Sequence, residues 1–274
     1  MASPTISTAF IRQFESDVHV AYQRMGTKLR NTIRRKVSVQ GEDVRFQIYG
    51  KGTASTKSRH GDVPVMNVSH TTVDCTMTDH YAAEYIDDLD MLKTNIDEKN
   101  LAAQAGAAAL GRKTDSLITT AMDATTNTIA HNSTGHVKVK AHEAFETLGN
   151  NDVPDDNMRF WVTSHAGWSD LMDINEFAQA EYVTSEQLPY AHGMVAKRWH
   201  GFFVFAFSGL DVAANIRKTF AYHTTSMGHG IGKDVSQDVT WQGQKQAHLV
   251  VNKMSQGSVL VDAAGIIEVS ISEA

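Results

Sequence analysis

The stretch from Asp90 to Asn127, DMLKTNIDEKNLAAQAGAAALGRKTDSLITTAMDATTN, constrains this chain more than any other. It holds no proline, is dense in Ala and Leu, and predicts a single helix over 94–124. Such a helix of about thirty residues spans roughly 45 Å at 1.5 Å per residue, against a mean of about 11–12 residues in globular proteins. Thr94 is the expected N-cap, with Asp97 placed near the positive end of the helix dipole. Ile96, Ala103, Ala107, Leu110, Leu117, Ala121 and Ala124 recur at steps of three, four or seven, which puts them on one face. A face made mostly of alanine lets another surface come close. The pattern is that of a strut laid across a sheet.

Before the strut, residues 5–36 carry apolar positions Ile11, Phe14, Val18, Ala21 or Tyr22, Met25 and Leu29, the spacing of an amphipathic helix. Its apolar face either packs on its own domain or docks on a neighbour. Lys28, Arg30, Arg34, Arg35 and Lys36 follow with no acid among them, a solvated end or a contact for a phosphate backbone. From Val37 the period changes to two: Val37 and Val39, then Val44, Phe46 and Ile48 after a turn at Gly41-Glu42-Asp43. YGKGTASTKSRHGD, residues 49–62, is polar and aperiodic, an exposed tip. Extended structure is expected to resume at Val63-Pro64-Val65 and to alternate through Val73, Cys75 and Met77. Residues 37–82 thus read as a long two-stranded projection. An isolated hairpin is marginal in water, so it is expected to rest on something else.

After the strut, His131–Lys140 reads as turn-like then extended, and His142–Leu148 as one or two helical turns. A second unit begins near Gly149, with a strand over 158–163, a helix HAGWSDLM capped by Ser164, a buried strand FFVFAF over 202–207 and another over 219–227. The tail 239–274 carries short extended pieces. The fold class is α+β rather than repeated βαβ units.

Motifs for chemistry are weak. Gly106 to Thr114 mimics a phosphate loop, but with an extra arginine before the lysine, amid helix formers and after no strand. Gly228, Gly230 and Gly232 echo a dinucleotide loop with no helix behind them, and a plain turn is the expectation. Thirteen histidines include the evenly spaced His60, His70 and His80, without paired-ligand spacing. Ser164-His165 and Ser169-Asp170 lack a nucleophile elbow, and Asp87, Asp88 and Asp90 read as a solvated acidic turn. The single Cys75 excludes an intrachain disulfide framework. A net charge of −6 argues against a surface that is basic all over. No apolar run is long enough for a membrane helix, and no signal peptide is expected at MASPTISTAF. No catalytic residue, cofactor or metal site is assigned, and no enzyme is expected.

The order of parts resembles the major capsid protein of tailed bacteriophages, whose fold is shared with encapsulins. The most specific stretch runs YGKGTASTKSRHGDVPVMNVSHTTVDCTMTDHYAAEYIDDLD and on to the helix end GRKTDSLITTAMDA. RFWVTSHAGWSDLM, GMVAKRWHGFFVFAFSGL and TFAYHTTSMGHGIG are similar to the family's axial-domain run of strand, helix and strands. The resemblance implies an N-terminal arm over 1–36, an extended β-hairpin loop over 37–82 and a peripheral domain over 83–148 with its spine helix. It further implies an axial domain over 149–235 and returning strands over 236–274. It implies a homo-oligomer of pentamers and hexamers closing an icosahedral shell around double-stranded phage DNA, assembled in the host cytoplasm, with no membrane. Separate scaffolding, portal or decoration proteins are implied as partners, the scaffold because no long segment precedes the arm. Inter-subunit contacts are expected at Lys51, Lys57, Arg59, Ile11 and Phe14, and diffuse DNA contacts at Lys28, Arg30, Arg34, Arg35 and Lys36. An encapsulin-type compartment and a histidine-rich metal-dependent enzyme are the competing expectations.

Overall fold

The computed structural model describes residues 23–93, 97–178 and 196–273. Thr94 and Ile96 of the predicted strut, and Ile11, Phe14 and Val18 of the predicted first helix, lie outside the described residues.

A short helix α1 (Asp88–Lys93) precedes the strut α2 (Glu98–Met122), whose 25 residues make it the longest helix described. Asp97 is its N-cap, with a side chain that accepts from the Asn100 N–H. The helix stops at Met122, short of the predicted end. Thr125 donates to the Ile266 carbonyl and Asn127 to the Ala263 carbonyl, and these bonds draw the chain onto the C-terminal strand instead. The buried face is also rotated from the predicted one. Ala103 and Leu110 are buried as expected, but Ala107, Leu117 and Ala121 are half-buried and Ala124 is exposed. Thr114, Asp115, Ile118, Thr119 and Met122 take the inner positions. Three of those five are polar and hydrogen-bonded, so an apolar count misplaces the face.

Helix α2 lies across a four-stranded sheet of order β1-β11-β12-β4, made by β1 (Arg34–Val37), β11 (Met227–Gln242), β12 (Ala247–Leu260) and β4 (Thr78–Asp87). Strand β1 runs parallel to β11, and the other pairs are antiparallel. Residues 23–33 form no helix, against the periodicity, and the basic run enters β1 as a strand. The helical spacing fails here because Leu29 and Ile33 are buried by contacts to distant elements, including Met122 and Phe207, while Met25 is 60% exposed.

The projection is narrower than 37–82. Its ladder is β2 (Asp43–Tyr49) with β3 (His70–Thr76), while Val37 belongs to β1 and Thr78 already belongs to β4. Residues 50–69 form no strand, including the Val63-Pro64-Val65 predicted to be extended. The stem rests on its own chain: Val44, Phe46, Cys75 and Val261 form a small cluster with Val259 and Met77. This explains Gly228 and Gly230, which lie inside β11 rather than in a turn. A Cβ on Gly228 would come within 2.7 Å of the Phe46 ring, and one on Gly230 within 3.1 Å of Val44. Glycine in a strand marks a close approach, and here the hairpin stem makes it.

The second layer is a seven-stranded mixed sheet of order β5-β13-β10-β6-β8-β7, with β9 paired to β10. Its strands are β5 (Thr128–Ile129), β6 (Arg159–Thr163), β7 (Lys197–Trp199), β8 (Phe202–Ala206), β9 (Val212–Ala213), β10 (Ile216–His223) and β13 (Ile266–Ser272). Helix α3 (Lys138–Asn150) contains the helical turns expected over 142–148 and starts earlier, in place of the extended piece before them; α4 (His165–Met172) has the predicted Ser164 cap, and α5 (Asn175–Ala178) follows. Between these helices and the sheet sit Trp161, Trp168, Phe177, Phe202, Val204 and Ile267.

Candidate functional surfaces

The arm segment is tied to α2 by one buried carboxylate. Asp115 accepts from the backbone N–H of Lys28 (3.1 Å) and of Leu29 (3.1 Å), and Arg24 Nε stands 3.6 Å away. Burial raises the Asp115 pKa, opposed by the two backbone donors and by Arg24. Thr32 bonds Tyr222, and Arg112 reaches Gln23 and the Arg24 carbonyl. Gly111 lets this segment lie close, because a Cβ there would sit 2.8 Å from the Gly26 carbonyl oxygen. The Gly106–Thr114 echo of a phosphate loop is therefore continuous helix; its lysine, Lys113, is exposed and its Thr114 donates to Gln256.

The basic run does not form one face. Arg30 makes a bidentate pair with Asp234 (2.9 and 2.6 Å), Arg35 donates to Asn31, and Arg34 lies over the Phe46 ring. On an extended strand successive side chains alternate, so Arg34 and Lys36 point away from Arg35. Lys28 is exposed beside them.

The hairpin tip is open. Lys57 and Arg59 are exposed, as are Val63 (74%), Val65 (88%) and Met66 (54%). Lys51 pairs with Asp152 of its own chain at 2.6 Å, with both side chains more than three-quarters exposed. Opposite in character is the β4 edge of the four-stranded sheet, which among the described residues pairs only with β12. Asp79, Glu84, Asp87, Asp88 and Asp90 are exposed along it and α1, with Tyr81 (65%), Tyr85 (49%) and Leu89 (64%) between them. The sequence showed the acids but not that they line an open sheet edge; the β4–β12 register supplies that. Asp115 had no sequence signal beyond a carboxylate set within an otherwise helical run.

Most histidines with partners are structural. His136 bonds Thr163 and His229 bonds Ser258, and burial pushes them down to about 3 and about 4. His223 bonds Asp156, holding that carboxyl below its usual range. His60, His70 and His80 stay apart: His60 is on the tip, His70 packs edge-on to Tyr49 and His80 bonds Thr78. Among the described residues no group of three or more His, Cys, Asp or Glu converges as metal ligands, and no helix is long and apolar enough to cross a membrane.

A family model described as "Phage capsid protein" matches residues 6–273. No curated protein sequence matches the chain. The fold is similar to a solved structure of Mycobacterium phage Che8, at TM-score 0.74 and 16% identity over 96% of this chain and 97% of that one. It is similar to the capsid of the cyanophage P-SCSP1u, at TM-score 0.75 and 15% identity over 97% and 94% of the two chains. The capsid of a native GTA particle aligns over 100% of both chains, at TM-score 0.76 and 11% identity.

Proposed function

This chain belongs to the phage capsid protein family and is a major capsid subunit, and on that premise we propose how its surfaces close a shell. Copies assemble as pentamers and hexamers of an icosahedral capsid in the host cytoplasm and enclose double-stranded DNA. The exposed tip of one copy lies against the β4 edge and α1 of the next. The observation that carries this reading is complementarity: Lys51, Lys57 and Arg59 face solvent on the tip, and Asp79 and Asp87 do so on one face of β4, the edge strand of the sheet among the described residues. Val63, Val65 and Met66 match Tyr81, Tyr85 and Leu89 as the apolar part of the same contact. Opposite charges steer association and fix register more than they add affinity, while the apolar pairs supply the burial.

The domain plan follows the sheets: the hairpin as extended loop, the α2 sheet as peripheral domain with spine helix, and the seven-stranded unit as axial domain. Lys28, Arg34, Arg35 and Lys36 supply diffuse contact to DNA, with Arg30 held by Asp234; Ile11 and Phe14 serve neighbour contacts in the arm. Separate scaffolding, portal or decoration proteins complete the particle. We assign the chain no reaction; the encapsulin-type compartment and the metal-dependent enzyme are not favoured.

The test is a charge swap followed by electron microscopy and light scattering. The variant Lys57→Glu/Arg59→Glu is expected to assemble poorly, and adding Asp79→Lys/Asp87→Lys to restore particles. Undiminished assembly of the first variant would refute this contact.

A further inference from the structure

We propose that His142 and His200 form a two-imidazole site for a divalent transition-metal ion of the zinc, nickel or copper class, at the surface where α3 meets the β7–β8 turn. His200 and Gly201 connect those antiparallel strands, with φ of +52° and +82°. Two successive left-handed residues are the signature of the tight hairpin turn whose twist suits its flanking strands. The turn sets the His200 ring over α3, against the exposed His142. Phe145, three residues on along the same helix, has its ring centroid 4.7 Å from that of His200, and Trp199 stands 5.9 Å away on the strand side. His200 is therefore braced by carbon on two sides.

The two imidazoles meet edge to face at 86°, with His142 Nδ1 3.1 Å from His200 Nε2. Between neutral rings, that distance holds one shared proton, donated by one nitrogen and accepted by the other. A metal–imidazole bond is about 2.0–2.1 Å, so two such bonds meeting at roughly 90–110° put their nitrogens about 2.9–3.4 Å apart. The observed gap fits a single ion in place of the proton, after a tilt that two surface rings can make. On binding, the donating ring changes tautomer, its proton passing through solvent to that ring's other nitrogen, so that both facing nitrogens present lone pairs to the ion and no net proton is released. Imidazole suits zinc, copper and nickel.

The charged groups nearby are compatible with this. Lys138 is paired with Glu176, and its hydrogen bond holds the Glu176 carboxyl low. Partial burial, then His142 and Lys138, push the His200 pKa below its ordinary value. The rest of the coordination shell is water, since no third ligand converges among the described residues. The ion is accordingly chelator-labile. This site stands on the pair's own geometry and is independent of the shell reading.

Calorimetric titration of the full chain with nickel chloride or zinc chloride at pH 7.5 tests it. The controls are chosen to keep the fold. His200→Asn retains a residue tolerant of left-handed backbone, and His142→Gln keeps a helix former. One ion per chain is expected for the parent, with affinity at least about tenfold weaker in each variant. His60→Ala, on the hairpin tip, is expected to bind as the parent does. Absence of binding to the parent, a loss below about threefold in either variant, or an equal loss in His60→Ala would overturn the proposal.

Discussion

The seven-stranded unit and the hairpin tip are built on opposite terms. In the first, Trp161, Phe177, Phe202 and Val204 have no exposed surface, and aromatic rings meet edge to face at 5.4–5.7 Å between Trp161 and Phe202, Trp168 and Phe177, and Phe177 and Trp199. In the second, Val63, Val65 and Met66 are 54–88% exposed, and among the described residues no strand pairs them. Apolar burial stabilises at about 25 cal/mol per Å², and the tip forgoes it within the chain. One region therefore holds its shape alone, while the other leaves its apolar surface in solvent within the chain. The arm segment lies between these extremes, anchored by Asp115 but carrying its exposed basic residues outward.

Breaking the self-contained region should have the largest effect. Trp161→Ala is expected to cost about 3–5 kcal/mol of folding stability, read by chemical denaturation, and so to lower soluble yield before assembly is reached. Asp115→Ala should come next. It strands the Lys28 and Leu29 N–H groups and Arg24 without an acceptor, at about 1–3 kcal/mol for a buried group left unmade. Proteolysis within residues 23–33 should rise while the seven-stranded unit stays protected; equal exposure of both would mean that the two regions are not separable.

Acid gives a graded version. His136 and His229 stay neutral in the folded chain down to about 3 and about 4, whereas an unfolded histidine protonates near pH 6.5. Above about pH 6.5 both are neutral in either state and contribute no pH dependence. Below it the unfolded chain takes up protons that the folded chain refuses. Each histidine then destabilises by up to about 1.4 kcal/mol per pH unit, levelling off below about 4 for His229 and about 3 for His136. Melting followed from pH 7 to 4 should show this slope, and His229→Gln should flatten it by one proton. An unchanged slope would show that His229 titrates normally.

What the sequence revealed follows from how local each cause is. The α2 helix, the Ser164 cap and the β8 strand were legible because composition, capping chemistry and apolar length each act within a few residues. The α2 face was misread because Thr114 and Asp115 are turned inward by partners 87 and 142 positions away in the chain at most. Residues 23–36 have helical spacing, yet parallel pairing with β11 and the Asp115 anchor impose another conformation. Gly228 and Gly230 looked like punctuation, and only the Phe46 and Val44 side chains laid over them show why a strand needs glycine there. Among the candidate contact residues, the tip cations were legible as exposed charge. The proposed acidic partner surface emerged only once β4 was placed at an edge.

The most direct test removes residues 51–60 of the tip and follows folding and assembly in the same preparation. If the tip finds its burial on a neighbour, the melting temperature moves by no more than a few degrees, in keeping with about 0.5 kcal/mol for surface changes, while particle formation falls sharply by light scattering and electron microscopy. Shells formed in normal yield, or a subunit that unfolds with its tip removed, would contradict it.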